Sequence, residues 1–305
     1  MAMASTSSTM KLLHETLMIL AKNLKPMLPL TFFSLLSSSI LYLSNYLSIT
    51  PILFNISINL HVFHTDNTNI DIEHSLFISS IKKSIKQFLI LESIFLLISF
   101  IIFSSINTFT LHSSSLIYLG KQPTIQDLLA RVKKSSKKTI TTQFFVSMLN
   151  FSFMLLLIFI VGLCFLISIN GSFFLLVFGV ALAMFSIYLY VHLLLPWSMI
   201  VVISTLEEGY RGISAVSRAT EMIKERKKEG LVISMVHAMS TIAYYGAYTF
   251  STVYVPQITP SPLANGLIFV NGSSILSMMV LFGYTVFYYE CKMGHGDQEG
   301  MELKG

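Results

Sequence analysis

The densest group of side chains able to do chemistry lies between positions 61 and 74: His61, His64, Asp66, Asp71, Glu73 and His74. His61 and His64, three apart, would share one face of a helix and could ligate a metal. His61 and Asp66 have the His-x4-Asp spacing of a catalytic pair. Asn67, Thr68 and Asn69 fall among them, and those residues favour a solvated turn. The segment therefore reads first as a polar loop, and only after that as a metal or catalytic site.

Elsewhere ionisable groups are scarce where the chain is most apolar. Glu92, His192 and His237 are the ones set inside long hydrophobic runs. Such a residue is a functional hypothesis by default. Glu92, however, stands near enough to a span end to reach headgroups or Lys86. No Asp falls in any apolar run, which excludes a paired intramembrane aspartyl protease. There is no H-E-x-x-H, no G-x-S-x-G and no phosphate loop. Gly294-His295-Gly296-Asp297 reads as a flexible end. Cys164 and Cys291 are the only cysteines, too few for a disulfide scaffold or a Cys-based zinc module. The sequence thus points to no catalytic constellation and calls for no cofactor.

The elements that would carry these residues are legible from composition. Of 305 residues, 53% are hydrophobic and 11% charged, with a mean hydropathy of +0.71. A soluble domain carries roughly 25% charged residues. No Asp, Glu, Lys or Arg occurs from Thr139 to Leu206 or from Leu231 to Tyr289. A spanning helix needs about 20 apolar residues, so each run holds two spans and a turn. The turns fall at Asn170-Gly171-Ser172 and between Pro256 and Gly266. Two earlier spans complete an all-α, polytopic membrane fold of six transmembrane helices, at 27–47, 88–111, 140–168, 173–203, 231–255 and 267–289. The expected organisation is a disordered start over 1–9, one membrane domain over 10–290 and a flexible cytosolic tail over 291–305.

Basic residues set the orientation. Seventeen Lys and Arg fall on one side if both termini are cytosolic, against Lys82, Lys83 and Lys86 on the other. The first span is too long for the apolar core of a signal peptide, so it is retained. The compartment is endomembrane or plasma membrane. Amphipathic segments over 10–24, 124–138 and 212–228 precede the three helical pairs and are expected to be cytosolic interfacial helices. Their apolar faces are Met10, Leu13, Leu17, Leu20 and Leu24; then Ile125, Leu128, Leu129 and Val132; then Ile213, Val216 and Ile223.

Two stretches carry a resemblance. Ile117-Tyr118-Leu119-Gly120-Lys121 leads into a basic helix. Trp197 to Glu207-Glu208 leads into Gly212-Ile213-Ser214-Ala215-Val216-Ser217-Arg218. Together they resemble a plant family of uncharacterised six-span integral membrane proteins. More faintly, the architecture is similar to bacterial multi-span membrane domains with interfacial helices. The resemblance implies an integral membrane protein and supplies no catalytic residues.

The expected partners are membrane lipids, with anionic headgroups on the cytosolic side, and no nucleic acid. Lys133, Lys134, Lys137 and Lys138 are the lipid-contact residues, because their loop holds one acid, Asp127, whereas the later basic segment holds Glu207, Glu208, Glu221, Glu225 and Glu229. Most of those later charges are expected to pair within the helix. Asn55 starts a glycosylation sequon expected in the outer loop. Cys291 is a juxtamembrane thiol, read first as unmodified and only after that as a palmitoylation site. Tyr284, Tyr288, Tyr289 and Trp197 suit an aromatic belt. Gly179 and Ala183, Ala243 and Ala247, and Ser273 and Ser277 suit close helix packing. The sequence therefore predicts a lipid-interacting or scaffolding membrane protein, with transport of a small or lipid-like solute as the alternative.

Overall fold

The computed structural model describes residues 14, 18–19, 24–65, 72–121, 124–168, 173–254 and 261–294. Among them every regular element is helical: α1 (Leu24–Thr65), α2 (Ile72–Tyr118), α3 (Ile125–Ser168), α4 (Phe173–Leu206), α5 (Ile213–Glu225), α6 (Lys227–Tyr254) and α7 (Pro262–Gly294). Five apolar stretches in α1, α2, α3, α4 and α7 are long enough to cross a bilayer: Met27–Ile58, Ser79–Tyr118, Ile125–Cys164, Val177–Leu206 and Pro262–Gly294. Long apolar runs adopt helix because it satisfies every backbone polar group locally. The 28-residue α6 is not among the five. Its Ser, Thr, Tyr and Gly residues lower its hydropathy.

Several expected boundaries move. The stretch expected as a long loop after the first span is mostly helix among the described residues, because α1 runs 42 residues to Thr65 and α2 starts at Ile72. Pro51 does not stop α1; a proline removes one helical hydrogen bond, and the apolar sequence beyond it continues the helix. Asn55 accordingly lies exposed on α1, within the apolar stretch, and not in a loop. The segment 124–138 is no separate interfacial helix. It is the first third of the 44-residue α3, about 66 Å long at 1.5 Å per residue. Segment 10–24 lies almost wholly outside the described residues, as do 1–9, 295–305 and the Asn170 turn. The break at Pro256 is shorter than expected: α7 starts at Pro262, where a proline suits the first helical turn. At the other end α7 reaches Gly294, so 291–294 belong to the fold and not to a tail.

The chain divides into two compact units. One comprises 31–103 and 246–275. Within it the Asn271 amide donates to Ser39 Oγ at 2.9 Å and accepts from Ser38 Oγ at 3.1 Å, tying α1 to α7. Tyr248 stacks on Phe269 at 4.0 Å between centroids. The other unit comprises 1–30, 104–245 and 276–305 and holds the main buried core. Leu195, Met199, Val202 and Ile203 of α4 pack there with Phe282, Tyr284, Phe287 and Tyr288 of α7. Tyr284, Tyr288 and Tyr289 are thus core residues and not a lipid-facing belt. Their hydroxyls find partners inside the protein, which removes the need for the wet interface such residues otherwise seek.

α5 joins the same core. Its buried residues are Ala215, Ala219, Met222 and Ile223, while Ile213 is 78% exposed. The buried face is therefore turned from the expected Ile213–Val216–Ile223 line. Alanines let the short helix lie close on its neighbours, where larger side chains would hold it off. The small-residue pairs divide too. Gly179 meets Cys164, so α3 and α4 approach closely there, whereas Ala243 and Ala247 are exposed.

Candidate functional site

The polar centre of the larger unit is built on the end of α4. The helix stops at Leu206, and Glu207 N still donates to Ile203 O at 2.9 Å. Gly209 at φ 95° and Gly212 at φ 55° then reverse the chain, a conformation open to glycine and strained for other residues. Gly212 N donates to Thr142 Oγ1 of α3 at 3.2 Å, which fixes where α5 begins.

This turn delivers Glu207 into a ring of donors. Tyr288 OH donates to Glu207 Oε1 at 2.8 Å. Arg218 Nε of α5 lies 3.7 Å from Glu207 Oε2. Lys138 Nζ of α3 donates to the Glu207 carbonyl at 2.6 Å. The Glu207 and Arg218 side chains are only 11% and 18% exposed. Glu208, one residue on, pairs at the surface with Lys134 Nζ at 2.6 Å. A second hub joins α2, α6 and α7. Arg226 reaches Glu290 Oε2 at 2.8 Å and Glu229 Oε2 at 2.7 Å. Tyr118 OH donates to Glu290 Oε1 at 3.3 Å, and its ring stacks on Tyr289 at 4.7 Å. Deeper in, His112 Nε2 meets Ser135 Oγ at 2.8 Å.

Burial alone would pull the Arg218 guanidinium down, but the Glu221 hydrogen bond and the Glu207 charge outweigh it and hold it above its ordinary value. Arg226 is raised in the same way by Glu290 and Glu229. Both arginines are fixed cations. Beside the first hub opens a cleft of about 1050 Å³. Its cations are Arg131, Lys134, Lys138, Arg218 and Lys292, against the carboxylates of Asp127, Glu207 and Glu208. An excess of cations around an open cleft suits an anionic group.

Two of the four expected lipid-contact lysines, Lys134 and Lys138, therefore turn into this cleft, while Lys133 and Lys137 are exposed. The expected apolar face also splits. Leu128 and Val132 are buried in the protein, and Ile125 and Leu129 are 63% and 54% exposed. The later acids do not pair only within their own helix: Glu207 and Glu208 serve α3, α5 and α7. His237 meets the Tyr284 hydroxyl at 3.3 Å, and His192 lines a separate cavity. Cys291 is 1% exposed, so the fold closes it to acylation. The side chains of His61, His64, Asp66, Asp71, Glu73 and His74 lie outside the described residues. Among the described residues no cluster of three or more His, Cys, Asp or Glu could hold a metal.

The chain belongs to the family described as Domain of unknown function (DUF8558). That family's model matches residues 6–301, and so takes in both units. No curated protein and no solved structure matches the chain. Nothing in the local pattern marks Glu290, Tyr288 or His112 as partners. The available signal was that Glu290 is the first charge after the long neutral run. A carboxylate there needs a cation from another element once the helices pack.

Proposed function

We propose that this chain is a six-span integral membrane protein, with both termini cytosolic, that works through contact with anionic lipid headgroups and not by catalysis. The observation that carries the reading is the cationic cleft at the α4–α5 turn, set at the ends of long apolar helices. Five of the spans are the apolar stretches above. α6 is read as the sixth, since 28 residues exceed the roughly 20 a span needs. The basic residues support the orientation, because the cleft cations fall on the Lys- and Arg-rich side. The plant-family resemblance points the same way.

Reconstitution of the full chain tests this. Thermal stability in nanodiscs should rise when phosphatidylserine is added to phosphatidylcholine, and the gain should shrink with salt. Arg131→Gln with Lys292→Gln should remove most of it. An equal melting temperature in both lipids would end the headgroup reading. A second reading, transport of a lipid-like solute, is favoured by one feature. His192 lines a mostly apolar cavity of about 350 Å³ beside Pro196.

A further inference from the structure

That cavity is a notch where α4, α5 and α6 meet. His192, Leu195 and Pro196 of α4 form one wall, Thr220 and Ile223 of α5 a second, and Leu231 of α6 a third; Lys224 and Lys227 stand at its edge. Pro196 lies inside the continuous α4 and has no N–H, so the His192 carbonyl beside the notch lacks its helical hydrogen bond. α6 comes close to this stretch of α4, since a Cβ on Gly230 would sit 2.6 Å from Leu195 Cδ2.

Two exposed apolar stripes leave the notch. On α4, Pro196 and His192 continue at four-residue spacing to Tyr188 and Met184, which are 58% and 64% exposed. On α6, Leu231 continues to Met235 and Met239, which are 48% and 68% exposed. Both stripes run away from the lysine-bearing end. No carboxylate lines the notch. Of the acids on the neighbouring turns, Glu221 and Glu229 are held by Arg218 and Arg226, and the Glu225 carboxylate lies beside Gly294 at the end of α7. Cations at one end and methylene-lined walls leading away from them are the complement of one molecule class: an acyl chain with an anionic head.

We infer that the Pro196 notch holds a single anionic glycerophospholipid, its phosphate on Lys224 and Lys227 and its acyl chain along the stripes of α4 and α6. The site rests on the membrane reading above, but it shares no residue with the cleft.

The test is native mass spectrometry of the purified full chain, equilibrated in detergent with equimolar phosphatidylserine and phosphatidylcholine. Wild type should retain one phosphatidylserine about tenfold over phosphatidylcholine, because both lipids offer the lysines a phosphate but only the serine headgroup leaves a net negative charge there. Lys224→Gln with Lys227→Gln should abolish the preference, and the corresponding arginine pair should restore it. Thr220→Phe, which fills the notch from an exposed position, should lower retention of both lipids. Glycerol 3-phosphate at the same concentration should not displace the lipid. Equal retention of both lipids by wild type would overturn the inference, as would displacement by glycerol 3-phosphate. Loss of preference through Arg131→Gln with Lys292→Gln, and not through the notch pair, would also overturn it while leaving the cleft reading intact.

Discussion

The hydroxyl of Tyr288 donates to Glu207 Oε1 at 2.8 Å across 81 positions of sequence. That bond joins the last helix to the turn after α4, and Arg218 completes the cage from α5. Removing the carboxylate charge leaves a mostly buried guanidinium with the more exposed Glu221 as its remaining counter-charge. Glu207→Gln should cost about 1–3 kcal/mol. Lys134→Gln at the neighbouring pair should cost under about 0.5 kcal/mol, because both of its side chains are more than half exposed. Chemical or thermal unfolding in detergent gives the ranking, and equal effects would show that the hub is not what holds the turn.

Arg226 and Glu290 should behave as one unit. Each single change, Arg226→Gln or Glu290→Gln, leaves the other member of the pair charged, whereas the double change removes both; the loss of Arg226 beside Glu229 is common to the single and double variants and cancels in the cycle. A double-mutant cycle should give a coupling of about 1–3 kcal/mol, with the pair costing less than the sum of its parts. Strict additivity would rule out the contact seen at 2.8 Å.

Gly230 marks a close approach of α6 to the core. An added methyl would meet Leu195 Cδ2 at 2.6 Å and Phe287 Cζ at 2.8 Å. Gly230→Ala should therefore destabilise by about 1–3 kcal/mol. Gly283→Ala, where nothing lies within 4 Å, should be neutral or slightly stabilising, since alanine favours helix. The two melting temperatures decide the matter, and the reverse order would displace α6 from its position.

Cys291 should resist modification in the native protein. At 1% exposure its thiol meets N-ethylmaleimide only after unfolding, whereas Cys164 is half-buried. Intact-mass measurement should find at most one adduct before denaturation and two after it. Two adducts on the native protein would mean that the end of α7 is open.

Sidedness is checked with new thiols on a cysteine-free background. Ser135 is a poor place for a probe, because it is buried against His112. Lys133→Cys and Lys82→Cys are exposed positions. An impermeant maleimide should reach them from opposite sides of sealed vesicles. Labelling of both from one side would remove the six-span topology.

Thr139 to Leu206 and Leu231 to Tyr289 carry no charge, and that alone determined long helices, since a neutral apolar chain must satisfy its backbone internally. The positions of the helical breaks were less legible. Pro51 and Pro196 lie within helices, whereas Pro262 starts one, because a proline's effect depends on whether its turn can lose a hydrogen bond. Amphipathic spacing likewise identified α5 but not its buried side. Ile213 has the greater hydrophobicity, yet Ala215 and Ala219 face the core, because close approach to a neighbouring helix selects for small volume. The partners of the charges could not be read from the chain at all. Glu207 with Tyr288 and Arg226 with Glu290 are 81 and 64 positions apart. Local spacing registers neighbours three or four residues away, and only the packing of whole helices brings such distant groups within hydrogen-bond reach.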